Sequence, residues 1–355
     1  ISNILDELGV DYIEGGYPGA NPIDTVFFNA PPNLKKSKFV SFGMTKRPGR
    51  SISNDPGFNE LLSNKADAIC FVAKSWDFHV EKALGCSLDE NLASITESVK
   101  EASKTHSEVM VDCEHFFDGY KKNKKYALAC AKAAFESGAR WIILCDTNGG
   151  TLPDEVSEIV KNVCKSVSGD YLGIHAHNDT GNAIANSLAA VQSGVRQIQG
   201  TLNGIGERCG NANLISLIPT LLLKERFSEN FNISVTKDSL KNIRKISLII
   251  DDIMNRAPNK QAPYVGDSAF STKAGIHASA IVKDPKTYEH IDPKLTGNDR
   301  KLLISDQGGR SNILSSLKNI GFNIEKDDAR ITDLLNIVKE REAAGYSYES
   351  AQASF

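Results

Sequence analysis

Short apolar runs alternate with helical stretches over the first part of the chain. Their starts recur about every 30 residues, which is the size of one strand-plus-helix unit. Most of the runs are continuously apolar, as is typical of parallel strands buried on both faces. We therefore predict a parallel sheet of seven strands: Asp11–Gly15, Phe39–Gly43, Ala68–Ala73, Glu108–Asp112, Trp141–Asp146, Leu172–Ala176 and Gln197–Leu202.

Helical periodicity fills several intervals between these runs. It predicts helices over Leu88–Lys104, Lys125–Ser137 and Pro153–Val167. Thr151 lies just before the third helix, and acidic residues 154 and 155 occupy the first turn. Thr151 is therefore predicted to cap this helix.

A repeat of this kind fits either an open doubly wound sheet or a (β/α)8 TIM barrel. No strand leads into a G-x-G-x-x-G turn, because Gly210 stands one residue out of register with Gly204 and Gly206. Polar side chains instead follow several different strands, as they do in barrel active sites. We predict the α/β class and a (β/α)8 barrel. A barrel has eight units and residues 1–5 have the pattern of a mid-helix segment, so the first strand is expected to be missing from this chain.

The strand periodicity ends near residue 225. Beyond it, Lys237–Ile253 and Asp328–Glu342 show helical periodicity, and prolines interrupt the chain between them. We predict a catalytic barrel domain over residues 1–225, truncated at its N-terminus. Residues 226–355 are predicted to form a helical accessory region without strands, truncated at its C-terminus.

Charge and cysteine content narrow the classes of protein. Lys and Arg number 41 against 44 Asp and Glu, a net charge of −3, which predicts no binding to nucleic acid or a membrane surface. No apolar run approaches the roughly 18–20 residues that span a bilayer. The seven cysteines form no C-x-x-C pair, and Cys70, Cys113 and Cys145 lie within apolar runs. Buried thiols of this kind favour a cytoplasmic protein.

Residues 173–179, at the end of the sixth run, carry the sharpest chemical signal. His175 and His177 are two residues apart, so on a strand both imidazoles point to the same face. Two neutral imidazoles with oxygen ligands suit Zn, Mn, Co or Fe. The alternative is a pair of hydrogen-bonded core histidines.

Polar residues also follow three other runs. In the glycine-rich stretch 203–211, Asn211 offers a carbonyl oxygen to a metal, and Glu207 and Arg208 supply charge around such a site. Glu114 can act as an acid or base, and the Thr147 hydroxyl can hold a substrate carboxylate. Each of these residues can instead belong to a plain turn or cap.

Together, residues 175–179 and 203–211 resemble the two signatures of the 2-isopropylmalate, homocitrate and citramalate synthases. These enzymes are metal-dependent, aldolase-type barrels, a group that includes 3-hydroxy-3-methylglutaryl-CoA lyase. The resemblance extends over essentially the whole chain. Further matching stretches are residues 270–278, 287–293 and, most like the long-form (R)-citramalate synthases, 14–22, 74–77 and 305–312.

The resemblance implies a divalent metal site, with Zn, Mn, Mg or Co as the metal. His175, His177 and Asn211 match three ligands of the family, and Glu207 matches a residue beside them. The family also has an Arg–Asp pair on its first strand, to which nothing in this chain corresponds. The Asp of that pair is a fourth ligand.

Catalytic and substrate-binding roles are implied for four other residues. Glu114 matches an acidic catalytic residue, and Thr147 matches a hydroxyl that binds the carboxylate of an α-keto acid. His277 and Tyr288 match catalytic residues that reach into the barrel of a partner subunit, which implies a homodimer with shared active sites. Thr272 departs from the family, which usually has a histidine at that position.

The activity implied is a Claisen-type condensation of the co-substrate acetyl-CoA with pyruvate, which gives (R)-citramalate and CoA in isoleucine biosynthesis. A 2-isopropylmalate or homocitrate synthase is the nearest alternative and differs in the pocket for the keto-acid side chain. A metal-dependent aldolase or lyase of the same barrel group is a second alternative, and a non-catalytic domain is a third.

Overall fold

The computed structural model describes residues 1–348, 351, 354 and 355. The chain divides into two compact units. The first contains Ile1–Leu221 and Asn232–Thr236, and the second contains Leu222–Phe231 and Lys237–Phe355.

Seven parallel strands form one sheet in the described part of the first unit. Each strand pairs with its neighbours in sequence order, so that β1 and β7 are the edge strands. All seven predicted strands are confirmed, and the architecture is that of a (β/α) barrel with seven strands rather than eight among the described residues. The strands are β1 Tyr12–Glu14, β2 Lys38–Met44, β3 Ala68–Lys74, β4 Glu108–Glu114, β5 Trp141–Asp146, β6 Leu172–Ala176 and β7 Gln197–Gln199.

Side-chain contacts across the sheet show how strongly it curls. Gln199 on β7 donates a hydrogen bond to Asp112 on β4 at 3.0 Å, and Trp141 on β5 donates to Tyr12 on β1 at 3.0 Å. In a flat sheet, strands three or four positions apart would be separated by roughly 14–19 Å. The sheet therefore curves around one face, which becomes the inside of the barrel wall.

Helices follow the strands and cover the outer face of the sheet. Alternate strand residues point to opposite faces: Ile69 and Val111 pack outward with Ile95 and other helix residues, while Cys70 and Ile143 pack in the inner cluster. Up to the end of the first unit the helices are α1 Ser2–Leu8, α2 Pro22–Asn29, α3 Pro56–Ser63, α4 Asp77–His79, α5 Leu88–Ala102, α6 Phe116–Glu136, α7 Pro153–Val163, α8 Ala183–Ser193 and α9 Leu214–Leu223.

The predicted helices are present, but one predicted cap is wrong. α6 begins at Phe116, nine residues before the predicted start at Lys125. Thr151 does not cap α7, because its N–H and hydroxyl both donate to the buried carboxylate of Asp146. Leu152 precedes the helix instead, and its N–H donates to Glu155 at 2.8 Å.

The second unit is mainly helical, as predicted, although the single helix predicted over Lys237–Ile253 is two helices separated by a turn at residues 241 and 242. The prediction that it has no strands is wrong, since Ser271–Thr272 (β8) and Lys301–Leu302 (β9) pair in parallel. Two-residue strands are too short to show a periodicity in the sequence. Its helices are α10 Glu225–Ser228, α11 Lys237–Leu240, α12 Ile243–Ile253, α13 Gly275–Lys283, α14 Arg310–Asn319 and α15 Ala329–Ala343.

The cysteines and the helix lengths also follow the sequence analysis. Cys70, Cys113 and Cys145 are buried, as predicted, and all seven cysteines are free thiols. None of the helices among the described residues is both long and apolar enough to cross a membrane.

Candidate active site

The carboxyl ends of β3 to β7 carry most of the residues singled out in the sequence. Parallel neighbours in the sheet place Cys145 beside His175 and His175 beside Gln199. At the other side of this edge, Lys74 lies beside Glu114. The carboxyl edge of a barrel sheet is where active sites of this fold are built.

His175 is held by a polar side chain from the neighbouring strand. Its Nδ1 lies 2.7 Å from Gln199 Oε1, and its Nε2 lies 3.1 Å from Asn211 Oδ1. Gln199 Nε2 donates to Asp112 Oδ1, so its amide oxygen is the atom that faces His175. The contact with this oxygen requires the proton of His175 to be on Nδ1.

Asn211 is oriented in the same way by its surroundings. Its Nδ2 donates to the Ile205 carbonyl at 2.9 Å, which leaves Oδ1 facing His175 Nε2. In neutral His175, whose one ring proton is then on Nδ1, both Nε2 and Asn211 Oδ1 are acceptors. Two lone pairs at this distance repel unless a positive charge lies beside them, so the pair is suited to bind a cation.

His177 lies directly after β6, and its ring centroid is 5.1 Å from that of His175. Arg208 Nη2 donates to its Nδ1 at 2.8 Å, because a guanidinium has no acceptor. Burial, followed by the charges of His175 and Arg208, lowers the pKa of His177 from 6.5 to about 4. His177 is therefore neutral at pH 7, with its Nδ1 lone pair directed at a cationic group.

Arg208 joins three of the loops at this edge. Besides His177, it donates to the Asp179 carboxylate after β6, to the Thr147 carbonyl after β5, and to Glu207 in its own loop. The hydrogen bond from Arg208 lowers the pKa of Asp179.

The glycine-rich loop brings Asn211 back beside the histidines. Asn211 and His177 form an antiparallel bridge, and the Asn178 N–H donates to the Gly210 carbonyl at 2.9 Å. Gly210 has a φ of 82°, and a Cβ at this position would overlap the Gly204 carbonyl oxygen. Glycine is therefore required here for the loop to close tightly enough to deliver Asn211.

Glu114 is the last residue of β4 and forms an ion pair with Lys74. The two side chains are largely buried, at 22% and 18% exposure. The Ser75 N–H and hydroxyl both donate to the Glu114 carbonyl, at 3.1 and 2.7 Å. Glu114 is thus fixed at both its side chain and its backbone.

Thr147 follows β5, and its Oγ1 accepts a hydrogen bond from the His115 N–H at 2.8 Å. As the hydroxyl oxygen is an acceptor in this contact, its own proton can be donated to another group. His115 has a φ of 54°, which is strained for a residue other than glycine. The strained turn after Glu114 therefore links Glu114 to Thr147.

Three predicted residues remain, namely Glu207, His277 and Tyr288. Glu207 directs its carboxylate at Arg208, and its side chain is 69% exposed. His277 and Tyr288 belong to the second unit, where their ring centroids are 4.2 Å apart and Tyr288 is 52% exposed.

Sequence reasoning missed two residues of this edge, Lys74 and Gln199. It also left open what Arg208 contacts. A signal for the first two was present, since a lysine ends the apolar run of β3 and glutamines interrupt that of β7. Which residues they meet depends on the register between strands, which no local pattern records.

The donors at this edge fit a divalent metal. Two neutral imidazoles and an amide oxygen form a nitrogen and oxygen set of the kind that Zn, Mn or Co accept. The described residues contain no group of three or more His, Cys, Asp or Glu that could hold a metal, so the set has two histidines with an amide and no carboxylate.

A curled parallel sheet with helices on its outer face and polar residues at its carboxyl edge defines a (β/α)-barrel protein, and comparisons with known proteins give its family. A family model described as HMGL-like matches residues 1–249. A second model, for the homocitrate synthase post-HMGL domain-like family, matches residues 264–344. The chain therefore belongs to the HMGL-like family.

Curated relatives match along the whole chain. The chain is 46% identical to the (R)-citramalate synthase of Aquifex aeolicus and 45% identical to that of Geobacter sulfurreducens, in each case over 100% of its own length. It spans 66% of the length of each of these relatives. A 2-isopropylmalate synthase of Prochlorococcus marinus is 31% identical over 96% of the chain and 65% of that relative.

Solved structures share the fold. The HMG-CoA lyase of Bacillus subtilis aligns with a TM-score of 0.60 at 19% identity, over 72% of this chain and 86% of the lyase. An HMG-CoA lyase of Acinetobacter baumannii, solved with coenzyme A and 3-methylmalate, aligns with a TM-score of 0.58 at 22% identity, over 74% and 85% of the two chains. At these identities the likeness concerns the fold alone.

Proposed function

We propose that this chain is the catalytic part of an acyltransferase that condenses acetyl-CoA with pyruvate to give (R)-citramalate and CoA, in isoleucine biosynthesis. The curated (R)-citramalate synthases that match the whole chain support this activity. In our proposal the first unit is the catalytic barrel and the second is its accessory region. The protein would act in the cytoplasm.

The observation that carries the proposal is the pair of facing acceptors, His175 Nε2 and Asn211 Oδ1, at 3.1 Å. A purely structural polar pair would have a donor opposite an acceptor. Here the tautomer set by Gln199 leaves a site for positive charge, and the His177 ring centroid lies 5.1 Å from that of His175.

His175, His177 and Asn211 would hold a divalent metal, Zn, Mn, Mg or Co. A cation bound through the His177 Nδ1 lone pair would replace the Arg208 N–H that now occupies it. When bound, such a metal is a Lewis acid that polarises a keto group. Glu207, which pairs with Arg208, would lie outside the ligand set and help to hold Arg208.

Thr147 and Glu114 would act on the two substrates. The Thr147 hydroxyl, with its oxygen already accepting from His115, would donate its proton to the pyruvate carboxylate. The Glu114 carboxylate, positioned by Lys74, would take part in removing a proton from the acetyl methyl group. The methyl carbon then forms the new bond to the keto carbon, as the π bond of the keto group opens and its oxygen takes up a proton. Water then cleaves the thioester C–S bond, which gives a carboxylate and releases CoA as the thiol.

His277 would share the proton transfer with Glu114, and Tyr288 would support it. Both would come from a partner subunit in a homodimer, as the resemblance to the family implies. The contact between the two rings supports a joint role, because it fixes the imidazole against the Tyr288 ring.

The release of CoA thiol tests the activity and separates it from its alternatives. The full-length protein with a divalent metal is assayed with acetyl-CoA and pyruvate, 2-oxoisovalerate or 2-oxoglutarate. We expect thiol release with pyruvate, and much less with the others. Preference for 2-oxoisovalerate or 2-oxoglutarate would instead indicate a 2-isopropylmalate or homocitrate synthase, and cleavage of a hydroxy acid without thiol release would indicate an aldolase or lyase.

Mixing subunits tests the shared site. Full-length His277→Ala and His175→Ala proteins should each be inactive, since each lacks one half of every site. Mixed and allowed to exchange, they should regain activity through hybrid dimers that contain one intact site. Confirmed exchange without activity would contradict the shared site.

A further inference from the structure

We infer that Gln199 is a positioning residue that fixes the tautomer of His175 and so keeps Nε2 available as a metal-binding lone pair. This inference rests on the proposed metal site and extends it to a residue that does not itself touch the metal. Four contacts carry it.

The first two contacts join Gln199 to the histidine and to a buried anchor. Gln199 Oε1 lies 2.7 Å from His175 Nδ1, and Gln199 Nε2 lies 3.0 Å from Asp112 Oδ1. An ionised Asp112 accepts from the amide N–H and repels the amide oxygen, so Gln199 Nε2 faces Asp112 and Oε1 faces His175. The amide oxygen in turn requires a proton on His175 Nδ1.

The anchor itself is fixed. Asp112 is 6% exposed, and its Oδ1 also accepts from the Cys70 thiol at 3.3 Å. Asp112 lies on β4 and Gln199 on β7, so the orientation of His175 depends on a chain of contacts across the inside of the barrel. A second donor to the same oxygen leaves Asp112 little freedom to turn away from Gln199.

The remaining contact shows what the tautomer achieves. His175 Nε2 faces Asn211 Oδ1 at 3.1 Å. With the proton on Nε2, this would be an ordinary hydrogen bond and Nε2 would have no lone pair for a metal. With the proton on Nδ1, Nε2 and Oδ1 together present two lone pairs. Acceptors behind metal-binding histidines act in this way, and their loss weakens metal binding about 10- to 100-fold.

His177 provides an internal reference in the same site. Its Nδ1 accepts from Arg208, so its proton lies on Nε2. The structure thus holds the two neighbouring histidines in opposite tautomers through two different partners. A change at Gln199 should alter His175 only.

The first test reads the tautomers directly, in metal-free protein labelled with ¹⁵N-histidine. Long-range ¹H–¹⁵N spectra should show the proton of His175 on Nδ1 and that of His177 on Nε2. In Gln199→Leu, His175 should move to the Nε2 tautomer or a mixture, while His177 stays unchanged. Gln199→Glu keeps an oxygen opposite Nδ1 and should restore the original tautomer.

A matched control lies two residues away on the same strand. Gln197 faces Gly173, and its Oε1 is buried without a hydrogen-bond partner. Gln197→Leu makes the same chemical change and should leave both tautomers as they are. Titration calorimetry with Mn²⁺ should show binding weakened about 10- to 100-fold in Gln199→Leu and unchanged in Gln197→Leu.

The outcomes separate this inference from the proposed function. A proton on His175 Nε2 in the wild type would overturn the inference, as would an unchanged tautomer or an unchanged Mn²⁺ affinity in Gln199→Leu. The wild-type spectrum decides the first point even if a variant fails to fold. If wild-type protein binds no divalent metal, the proposed site fails, while the comparison of tautomers still decides what Gln199 does.

Discussion

The two ends of the barrel sheet differ in how the hydrogen-bond donors and acceptors of their polar side chains are paired. At the amino end, Tyr12 donates to Glu108 at 2.6 Å and Lys38 donates to the other oxygen of the same carboxylate at 2.5 Å. Trp141 Nε1 donates to the Tyr12 hydroxyl at 3.0 Å, and the Arg140 guanidinium stacks on the Trp141 ring. In this amino-end cluster, the Tyr12 hydroxyl, the Lys38 ammonium and the Trp141 indole N–H each donate to an acceptor of the chain.

At the carboxyl end, the hydrogen-bond acceptors are not all paired with donors in this way. His175 Nε2 and Asn211 Oδ1 face each other as two acceptors, and His177 directs its lone pair at a guanidinium. A polar cluster that serves stability pairs its donors and acceptors completely, whereas one that serves binding leaves lone pairs for a ligand. This difference is what our proposal requires: a cluster that stabilises the fold at one end of the sheet and a metal site at the other.

Removing the imidazoles of His175 and His177 should have the largest effect, and this effect should be on metal affinity at the carboxyl end. His175→Ala with His177→Ala eliminates two of the three ligands, so the affinity for a divalent metal should fall by more than about 100-fold. Metal content by elemental analysis after equilibrium dialysis measures this, and circular dichroism checks that the variant is folded. A folded variant with an unchanged metal content would refute the assignment of these ligands.

A substitution in the amino-end cluster should instead lower the stability of the fold. Glu108→Leu leaves the Tyr12 hydroxyl and the Lys38 ammonium without their acceptor, which should lower the free energy of unfolding by about 1–3 kcal/mol. Metal affinity should not change. Urea unfolding measures the loss.

An exposed ion pair supplies the control for this variant. Glu136, with a 61% exposed side chain, pairs at 3.5 Å with Lys132, whose side chain is 57% exposed. Glu136→Leu should cost only about 0–1 kcal/mol. Equal losses in the two variants would show that the amino-end cluster contributes no more than a surface pair.

Raising the pH should have a smaller effect on stability, which tests the role of Tyr12 in the amino-end cluster. Burial, followed by the contact with Glu108, raises the pKa of Tyr12 from 10.0 to about 12. A raised pKa means that the stability from neutral Tyr12 is complete below pH 10 and is lost as the pH rises towards 12. At pH 8 Tyr12→Phe should be less stable than wild type by about 1 kcal/mol, the value of one hydrogen bond.

This difference should shrink between pH 10 and 12, because only the wild type loses the contribution of Tyr12. Urea unfolding at pH 8, 10 and 11.5 follows it. The exposed Tyr171 gives a control, since Tyr171→Phe should have a smaller effect at each pH. A difference that stays constant with pH would contradict the role given to Tyr12.

Much of the fold could be predicted because its signal is local. Continuous apolar runs mark the buried strands, and all seven are present. The capping of α7 could not be predicted from Thr151 alone, since the competing acceptor, Asp146, is positioned by the fold. The β8–β9 pair was missed because two residues carry no periodicity.

The candidate site could be predicted only in part for a similar reason. The spacing of His175 and His177 on one strand places both imidazoles together, and this follows from strand geometry. The role of Gln199 depends on contacts with β6 and β4, which are set by strand register and by the curl of the sheet. Neither property is encoded in a short stretch of sequence.

The central claim is that His175, His177 and Asn211 hold a divalent metal at the carboxyl end of the sheet. Anomalous diffraction from crystals of the full-length protein saturated with Mn²⁺ tests it most directly. The strongest anomalous peak should be bonded to both imidazoles and to the Asn211 oxygen, with the Arg208 guanidinium displaced from His177. A peak bonded to other residues, or none at a concentration that saturates binding in solution, would contradict the claim.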